Sequence, residues 1–120
     1  MRLASVASQS SHASAELDGM AAATQAAAHL LKALAHESRL MILWKLCEGE
    51  KSVGDLEQAL MLRQPTVSQQ LARLRADRLV ATRREGKTIY YHLACDKARL
   101  ITQTVCSLYR AQQMPCAGQR

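Results

Sequence analysis

The sequence contains no phenylalanine, and aromatic residues make up only 3% of its 120 residues. Its core must therefore be built from Leu, Ala, Val, Ile and Met, which suits packed helices better than two stacked sheets. A small core of this kind is often completed by pairing with a second copy of the chain. The length indicates one domain, with room for a loose end.

Several functional signatures are also missing. The four cysteines, at positions 47, 95, 106 and 116, include no Cys-x-x-Cys pair, so there is no zinc-finger pattern. No secretory segment and no apolar run long enough to span a membrane is visible. We therefore expect a cytosolic protein with reduced thiols and no membrane partner. No nucleophile–base pair, phosphate-binding loop or paired carboxylates stand at a usable spacing, so we expect neither an enzyme nor a cofactor.

The positive charge is concentrated in one part of the chain. The formal net charge is +6. Residues 1–62 carry five basic and seven acidic side chains, whereas residues 63–94 carry seven basic and two acidic ones. Such an uneven distribution is typical of a surface that binds a polyanion.

The most informative stretch within the basic region begins at Gln64 and predicts a short two-faced helix. Val67, Leu71 and Leu74 recur at i, i+4 and i+7, which places them on one apolar stripe. The opposite face carries side chains of the kind that hydrogen-bond base edges and phosphates in a DNA major groove. An ordinary solvated helix face is the alternative. The candidate DNA-contacting residues are Gln64, Thr66, Ser68, Gln69, Gln70 and Arg73.

A β-hairpin is predicted to follow this helix. Residues 79–84 and 88–93 alternate as strands around Gly86, the residue able to adopt positive φ at a hairpin tip. Arg83, Arg84 and Lys87 crowd the tip, and we expect Arg84 and Lys87 to contact DNA. A cationic hairpin beside a recognition helix is a wing, so the predicted fold is mainly α with a small β-hairpin.

Other helices are predicted before and after this unit. Residues 1–13 lack an apolar period and are expected to be a disordered tail, followed by a domain over 14–113 and a flexible tail over 114–120. The first helix is expected to start between Ser14 and Met20. The expected helical segments are about 20–35, 37–47, 53–60 (opened by a capping box of Ser52 and Asp55) and 96–113.

The last helix carries a second apolar seam, formed by Ala98, Ile101, Val105 and Leu108. Its spacing of three, four and three resembles a coiled-coil seam. We therefore expect a homodimer that pairs through the first and last helices.

Four segments resemble the ArsR/SmtB family of bacterial repressors. They are residues 31–40 (LKALAHESRL), 52–56 (SVGDL), 64–71 (QPTVSQQL) and 82–87 (TRREGK). The resemblance covers roughly residues 25–112. It implies a dimeric winged helix-turn-helix repressor that binds operator DNA and releases it when an inducer arrives.

The metal-binding patterns of that family are not matched. Where the cadmium/lead-type site has Cys-x-Cys, this chain has Ser52 and Gly54. Where the zinc-type site needs four ligands on the last helix, this chain has Ala98, Tyr109 and Gln112 at three of the positions. The four histidines are scattered, so no metal site is predicted.

The wording of the segments is nearest to the sulfide/persulfide-responsive branch of the family. The two sensing cysteines of that branch fall at Trp44 and Arg110 of this sequence, but Cys47 and Cys106 each lie about one helical turn away. The resemblance therefore implies a redox pair of Cys47 and Cys106, with a small inorganic sulfur species or oxidant as inducer. The alternative is that Cys47 only fills an apolar stripe.

Two further hypotheses stay open at this point. Three thiolates, from Cys106, Cys116 and either Cys47 or Cys95, would suit arsenite or another soft metalloid ion. A winged helix can also serve as a protein-interaction module without DNA.

Overall fold

The computed structural model describes the backbone of residues 2–112 and the side chains of residues 11–110. These residues form five helices and three short strands in a mainly helical fold. In chain order the elements are α1 (Arg2–Leu34), α2 (Glu37–Leu46), β1 (Lys51–Ser52), α3 (Val53–Leu60), α4 (Gln64–Ala76), β2 (Val80–Glu85), β3 (Thr88–Leu93) and α5 (Asp96–Gln112).

The chain divides into two units, Met1–Lys32 and Ala33–Arg120. The first unit belongs to α1, which is much longer than predicted: its backbone is helical from Arg2, not from a start between Ser14 and Met20. The expectation of disorder over 1–13 is therefore wrong for the described backbone from residue 2. No proline and no glycine precedes Gly19, and alanine favours helix without an apolar period. The predicted tail over 114–120 lies outside the described residues.

The second unit contains the predicted helix-turn-helix. Its first helix, α3, opens with the predicted capping box: the Ser52 hydroxyl accepts from the Asp55 N–H at 3.1 Å, and the Asp55 carboxylate accepts from the Ser52 N–H at 3.0 Å. That backbone bond holds the pKa of the Asp55 carboxyl below its usual range. The turn into α4 passes through Met61, whose φ of 53° is unusual for a side chain other than glycine.

The predicted hairpin is confirmed, and a third strand joins it. β2 pairs antiparallel with β3 from Val80 opposite Leu93 to Glu85 opposite Thr88, with Gly86 at φ 62° in the tip. β1 lies on the other side of β3, where Lys51 pairs with Tyr91, so the strand order is β1-β3-β2. A strand of two residues has no alternating pattern from which the sequence would predict it.

The core of the second unit is aliphatic, as the lack of aromatic residues requires. The stripe of α4 is confirmed, since Val67, Leu71 and Leu74 are all fully buried. α2 contributes Ile42, Leu43 and Leu46, and α3 contributes Leu56.

The last helix buries a different face from the one expected. Ala98 is fully buried within the chain, together with Thr102 one turn later. These residues lie on the side of α5 that packs against α2 and β3. Val105 and Leu108, the other end of the predicted seam, are 41% and 54% exposed. The predicted seam therefore divides between the domain core and an open apolar face.

Candidate nucleic-acid interface and thiol cleft

The outer face of α4 presents the polar side chains that the sequence singled out. Gln64, Gln69 and Arg73 are exposed, and Thr66, Ser68 and Gln70 are half-buried. The Gln64 amide donates to the Ser68 hydroxyl at 2.7 Å, which fixes both side chains at the first turn of the helix. Arg73 is 68% exposed and lies 3.9 Å from the Asp77 carboxylate. A face of amides, hydroxyls and one guanidinium supplies the donors and acceptors that read base edges.

The cations of the wing separate into two kinds. Arg84 and Lys87 are exposed, and neither takes part in an ion pair among the described residues. Arg83 instead donates to the carboxylates of Glu50 and Glu85, and its guanidinium lies over the Tyr90 ring at 5.1 Å from the centroid. The Glu50 hydrogen bonds, followed by the Glu85 bond, raise the pKa of Arg83. Arg83 therefore anchors the wing.

The pairing of Arg83 with Glu50 was not found from the sequence. The two residues are 33 positions apart, and nothing in the local pattern of either one points to the other. The strand β1, which follows Glu50 directly, is the element that brings this carboxylate beside β2 and β3. Sequence analysis had grouped Arg83 with the other cations of the hairpin tip.

The two predicted redox cysteines lie where α2 meets α5. Both Cys47, at the C-terminal end of α2, and Cys106, in α5, are free and half-buried. The Arg110 guanidinium lies over the Trp44 ring at 5.5 Å from the centroid. Arg99, two turns before Cys106 in α5, donates to the Cys47 carbonyl at 3.2 Å. Later residues of α2 thus meet earlier residues of α5, so the two helices run antiparallel where they touch.

The electrostatic surroundings of the two thiols favour their protonated forms. Burial raises the pKa of the Cys47 thiol, Arg99 opposes this effect, and Cys106 and Glu48 add to the rise. Burial also raises the pKa of the Cys106 thiol. The structure thus brings Cys106 close enough to act on Cys47. Since the thiolate is the nucleophile, neither cysteine has the lowered pKa of a highly reactive thiol.

A cleft of about 620 Å³ opens beside Cys47. Its walls come from α2, α3 and α5, and they combine an apolar base with charged groups. The residues that define its chemistry are Trp44, Lys45, Cys47, Glu48, Leu60 and Arg110. The sequence gave no indication of this cleft, because its lining comes from three separate helices.

Metal-binding groups are not gathered at this cleft. Among the described residues, no three His, Cys, Asp or Glu side chains are placed to hold a metal ion. Cys116, which the metalloid hypothesis needs together with Cys106, lies outside them. The described part of the chain also contains no helix long and apolar enough to cross a membrane.

The fold and this surface define a winged helix-turn-helix protein, and comparisons with known proteins identify its family. The profile described as "Bacterial regulatory protein, arsR family" matches residues 36–82. The Biofilm growth-associated repressor of Agrobacterium fabrum is 50% identical over 84 residues, which span 70% of this chain and 72% of that protein. The Transcriptional activator HlyU of Vibrio cholerae is 45% identical over 80 residues, 67% of this chain and 74% of that protein.

A solved structure shows the same relationship. The crystal structure of the transcriptional repressor BigR from Xylella fastidiosa superposes with a TM-score of 0.72 at 41% identity, and covers 82% of this chain and 98% of that one. The chain belongs to the ArsR family of bacterial regulatory proteins. It is therefore a DNA-binding transcriptional regulator, as the sequence had indicated, and its relatives are regulators and not enzymes.

Proposed function

We propose that this protein is a homodimeric, cytosolic repressor that reads its operator with α4 and holds the flanking phosphates with the wing. The carrying observation is that α4 turns its apolar stripe fully inward and leaves Gln69 and Arg73 exposed. In this assignment the α4 residues Gln64, Thr66, Ser68, Gln69, Gln70 and Arg73 face the major groove. Arg84 and Lys87, which have no ion-pair partner among the described residues, contact the phosphates.

Two copies are needed for this mode of binding. Helix-turn-helix dimers place one recognition helix in each of two half-sites about one DNA turn apart or a multiple of it. The exposed apolar side chains of α5, Val105 and Leu108, support a pairing surface there, and Leu17 and Met20 of α1 are exposed as well. Homologous regulators of this family generally act as dimers.

We further propose that Cys47 and Cys106 form the switch that releases the operator. An oxidant would remove two electrons and two protons from the thiol pair and form a bond between their sulfur atoms. Persulfide would form the same link directly or through added sulfur. Support comes from the antiparallel contact of α2 and α5, in which Trp44 meets Arg110 and Cys106 acts on Cys47 one turn further along. The link would tie α5 to α2 and so change the spacing of the two recognition helices.

Single cysteine variants test the switch. Cys47→Ser and Cys106→Ser should each bind operator DNA like the parent protein, and neither should release it after treatment with peroxide or sulfane sulfur. Cys95→Ser is the matched control, because Cys95 is also a free, half-buried cysteine but lies before α5. Fluorescence anisotropy of labelled operator follows release, and mass spectrometry of the same samples identifies the link. Release by either Cys47→Ser or Cys106→Ser at the parent's dose would rule out this pair.

A further inference from the structure

The cleft beside Cys47 carries an excess of positive charge. Glu48 is the acidic residue among those that line it, and Lys45 and Arg110 are the cations. Lys45 donates to the Glu48 carboxylate at 3.1 Å, and Lys51 lies 3.8 Å from the other oxygen of that carboxylate. Lys45, Lys51 and Arg110 all hold the pKa of Glu48 below its usual range, led by the Lys45 hydrogen bond. Three cations therefore surround one carboxylate, so the local net charge is positive.

Arg110 is the cation best placed to receive a ligand. Its guanidinium lies over the Trp44 ring, and a contact with the face of a ring uses none of the five N–H donors. No hydrogen bond among the described residues involves those donors, whereas Lys45 is engaged by Glu48. A planar guanidinium with unused donors matches a carboxylate through two parallel hydrogen bonds. The stacking on Trp44 holds the group in position before any ligand arrives.

The nucleophile and this anion-binding group share one cavity. Cys47 and Arg110 both line the cleft, and Trp44, Met41 and Leu60 supply an apolar surface between the charged groups. A volume of about 620 Å³ is large enough for an organic molecule and far larger than a sulfide or peroxide molecule needs. The arrangement therefore fits a molecule with three parts: a carboxylate, a short organic body and a sulfur atom that a thiol can attack.

We propose that this cleft binds carboxylate-bearing low-molecular-weight thiols in their oxidised form, as disulfides or persulfides, with the carboxylate on Arg110 and the sulfur at Cys47. The proposal rests on the proposed switch and names its inducer class. In the first step the Cys47 thiolate attacks the sulfur of the organic group in RS–SX, forms Cys47–S–S–R and expels XS⁻, where X is hydrogen in a persulfide. In the second step the Cys106 thiolate attacks the Cys47 sulfur and expels RS⁻. The cysteine pair loses two electrons, the ligand gains them, and the two thiol protons pass to the expelled thiolates.

Binding before reaction has a clear purpose at this site. A buried thiol that is mainly protonated reacts slowly with reagents that meet it by chance, since only the thiolate attacks. Holding the disulfide in the cleft converts the encounter into a reaction between neighbouring groups, which raises the effective concentration of the ligand at the sulfur. Selectivity then comes from the charge of the carrier molecule.

Two synthetic disulfides of opposite character provide the test. Dithiobis(nitrobenzoate) carries two carboxylates, whereas dithiodipyridine is neutral, and both release a coloured thiol when they react. Cys47 is left as the single thiol of the full chain by Cys95→Ser, Cys106→Ser and Cys116→Ser. The measured quantity is the ratio of the rate constants for the anionic and the neutral reagent. Any change in thiolate fraction or folding affects both reagents and cancels in the ratio.

The cleft variants should move this ratio in opposite directions. Arg110→Gln should lower it about two- to fivefold, the range expected for one charge at a partly exposed site. Glu48→Gln should raise it by a similar factor, because it removes the opposing carboxylate. Arg75→Gln is the matched control, since it removes one exposed arginine from α4, outside the cleft, and should leave the ratio unchanged. Added salt should reduce the ratio of the parent protein toward that of Arg110→Gln.

A ratio that stays the same in Arg110→Gln, or that falls equally in Arg75→Gln, would overturn the proposal. Because the measurement contains no DNA, it separates this inference from the switch itself. If the ratio moves as expected but Cys47→Ser still releases operator, the switch is refuted and the binding of anionic disulfides stands. If the ratio does not move but Cys47→Ser fails to release operator, the switch stands and the anionic inducer class is refuted.

Discussion

Arg83 of β2 donates hydrogen bonds to both carboxylate oxygens of Glu50, a residue of the segment between α2 and β1. The same guanidinium reaches Glu85 at 3.0 Å, so two acidic groups neutralise it. The adjacent Arg84 has no such partner among the described residues. Two neighbouring arginines of one strand therefore have different roles, one in holding the wing and one in meeting an outside anion.

The different roles of the two arginines predict different effects on the salt dependence of DNA binding. Each phosphate contact contributes about 0.9 to the slope of log K against log salt concentration on duplex DNA. Arg84→Ala and Lys87→Ala should each reduce the slope by about one and weaken binding to every sequence. Arg83→Ala should leave the slope close to the parent value, although it loosens the wing. Fluorescence anisotropy at several salt concentrations measures all three, and an unchanged slope in Arg84→Ala would contradict the assignment.

Removal of a base-reading side chain should alter specificity more than general affinity. Gln69→Ala should lose about 1–3 kcal/mol of discrimination between operator and random DNA, since a good base contact is worth that amount. Ser68→Ala should lose less than a full contact, because its hydroxyl also accepts from Gln64. Gln103→Ala on α5 is the matched control and should bind both DNAs like the parent. The role of Gln69 is wrong if its loss weakens binding to both DNAs equally.

Charge on the open face of α5 should prevent pairing. Val105 is 41% exposed in the single chain, so Val105→Asp is tolerated by a folded monomer but would bury an unpaired carboxylate in a dimer. We expect a folded monomer by sedimentation, with circular dichroism like the parent and binding to only one half-site at a time. Gln103→Asp adds the same charge at another exposed position of α5 and serves as control. A Val105→Asp protein that still sediments as a dimer would exclude this face.

Thr102 gives a prediction for stability. Its side chain is fully buried on α5, and its hydroxyl has no hydrogen-bond partner among the described residues. Valine has nearly the same shape, so Thr102→Val should raise the free energy of unfolding by about 1 kcal/mol, at the low end of the cost of an unsatisfied buried group. Thr104→Val, at an exposed position two residues later, tests whether the helix responds to valine itself. Urea unfolding measures both, and a lower midpoint for Thr102→Val would show that the hydroxyl has a partner in solution.

The features that the sequence predicted correctly are those set by residues close together in the chain. The stripe of Val67, Leu71 and Leu74 follows from helical spacing, the capping box from Ser52 and Asp55, and the hairpin tip from the backbone freedom of Gly86. The outer face of α4 followed from the same stripe, because the side that is not buried is exposed. These local patterns were sufficient for the fold class and for the candidate DNA-facing residues.

The features that it missed depend on residues brought together from distant parts of the chain. The pairing of Arg83 with Glu50, the strand β1 and the cleft beside Cys47 all join separate elements. The seam of α5 was predicted from spacing alone, which does not tell a core-facing residue such as Ala98 from a residue on an open face such as Leu108. The length of α1 was underestimated because an apolar period was required where alanine content was enough.

The small strand β1 closes a long loop. It joins β3 through only two residue pairs, Lys51 with Tyr91 and Ser52 with Tyr90. Between the paired positions run α3, α4 and the β2 strand, so the whole recognition unit is a loop fastened at its base by a very short ladder. Closing a loop of this length costs entropy that grows slowly with length, and a two-residue ladder repays little of it. The amide protons of this ladder should therefore exchange with solvent earlier than those of the β2–β3 hairpin, through a local opening that leaves the hairpin itself folded.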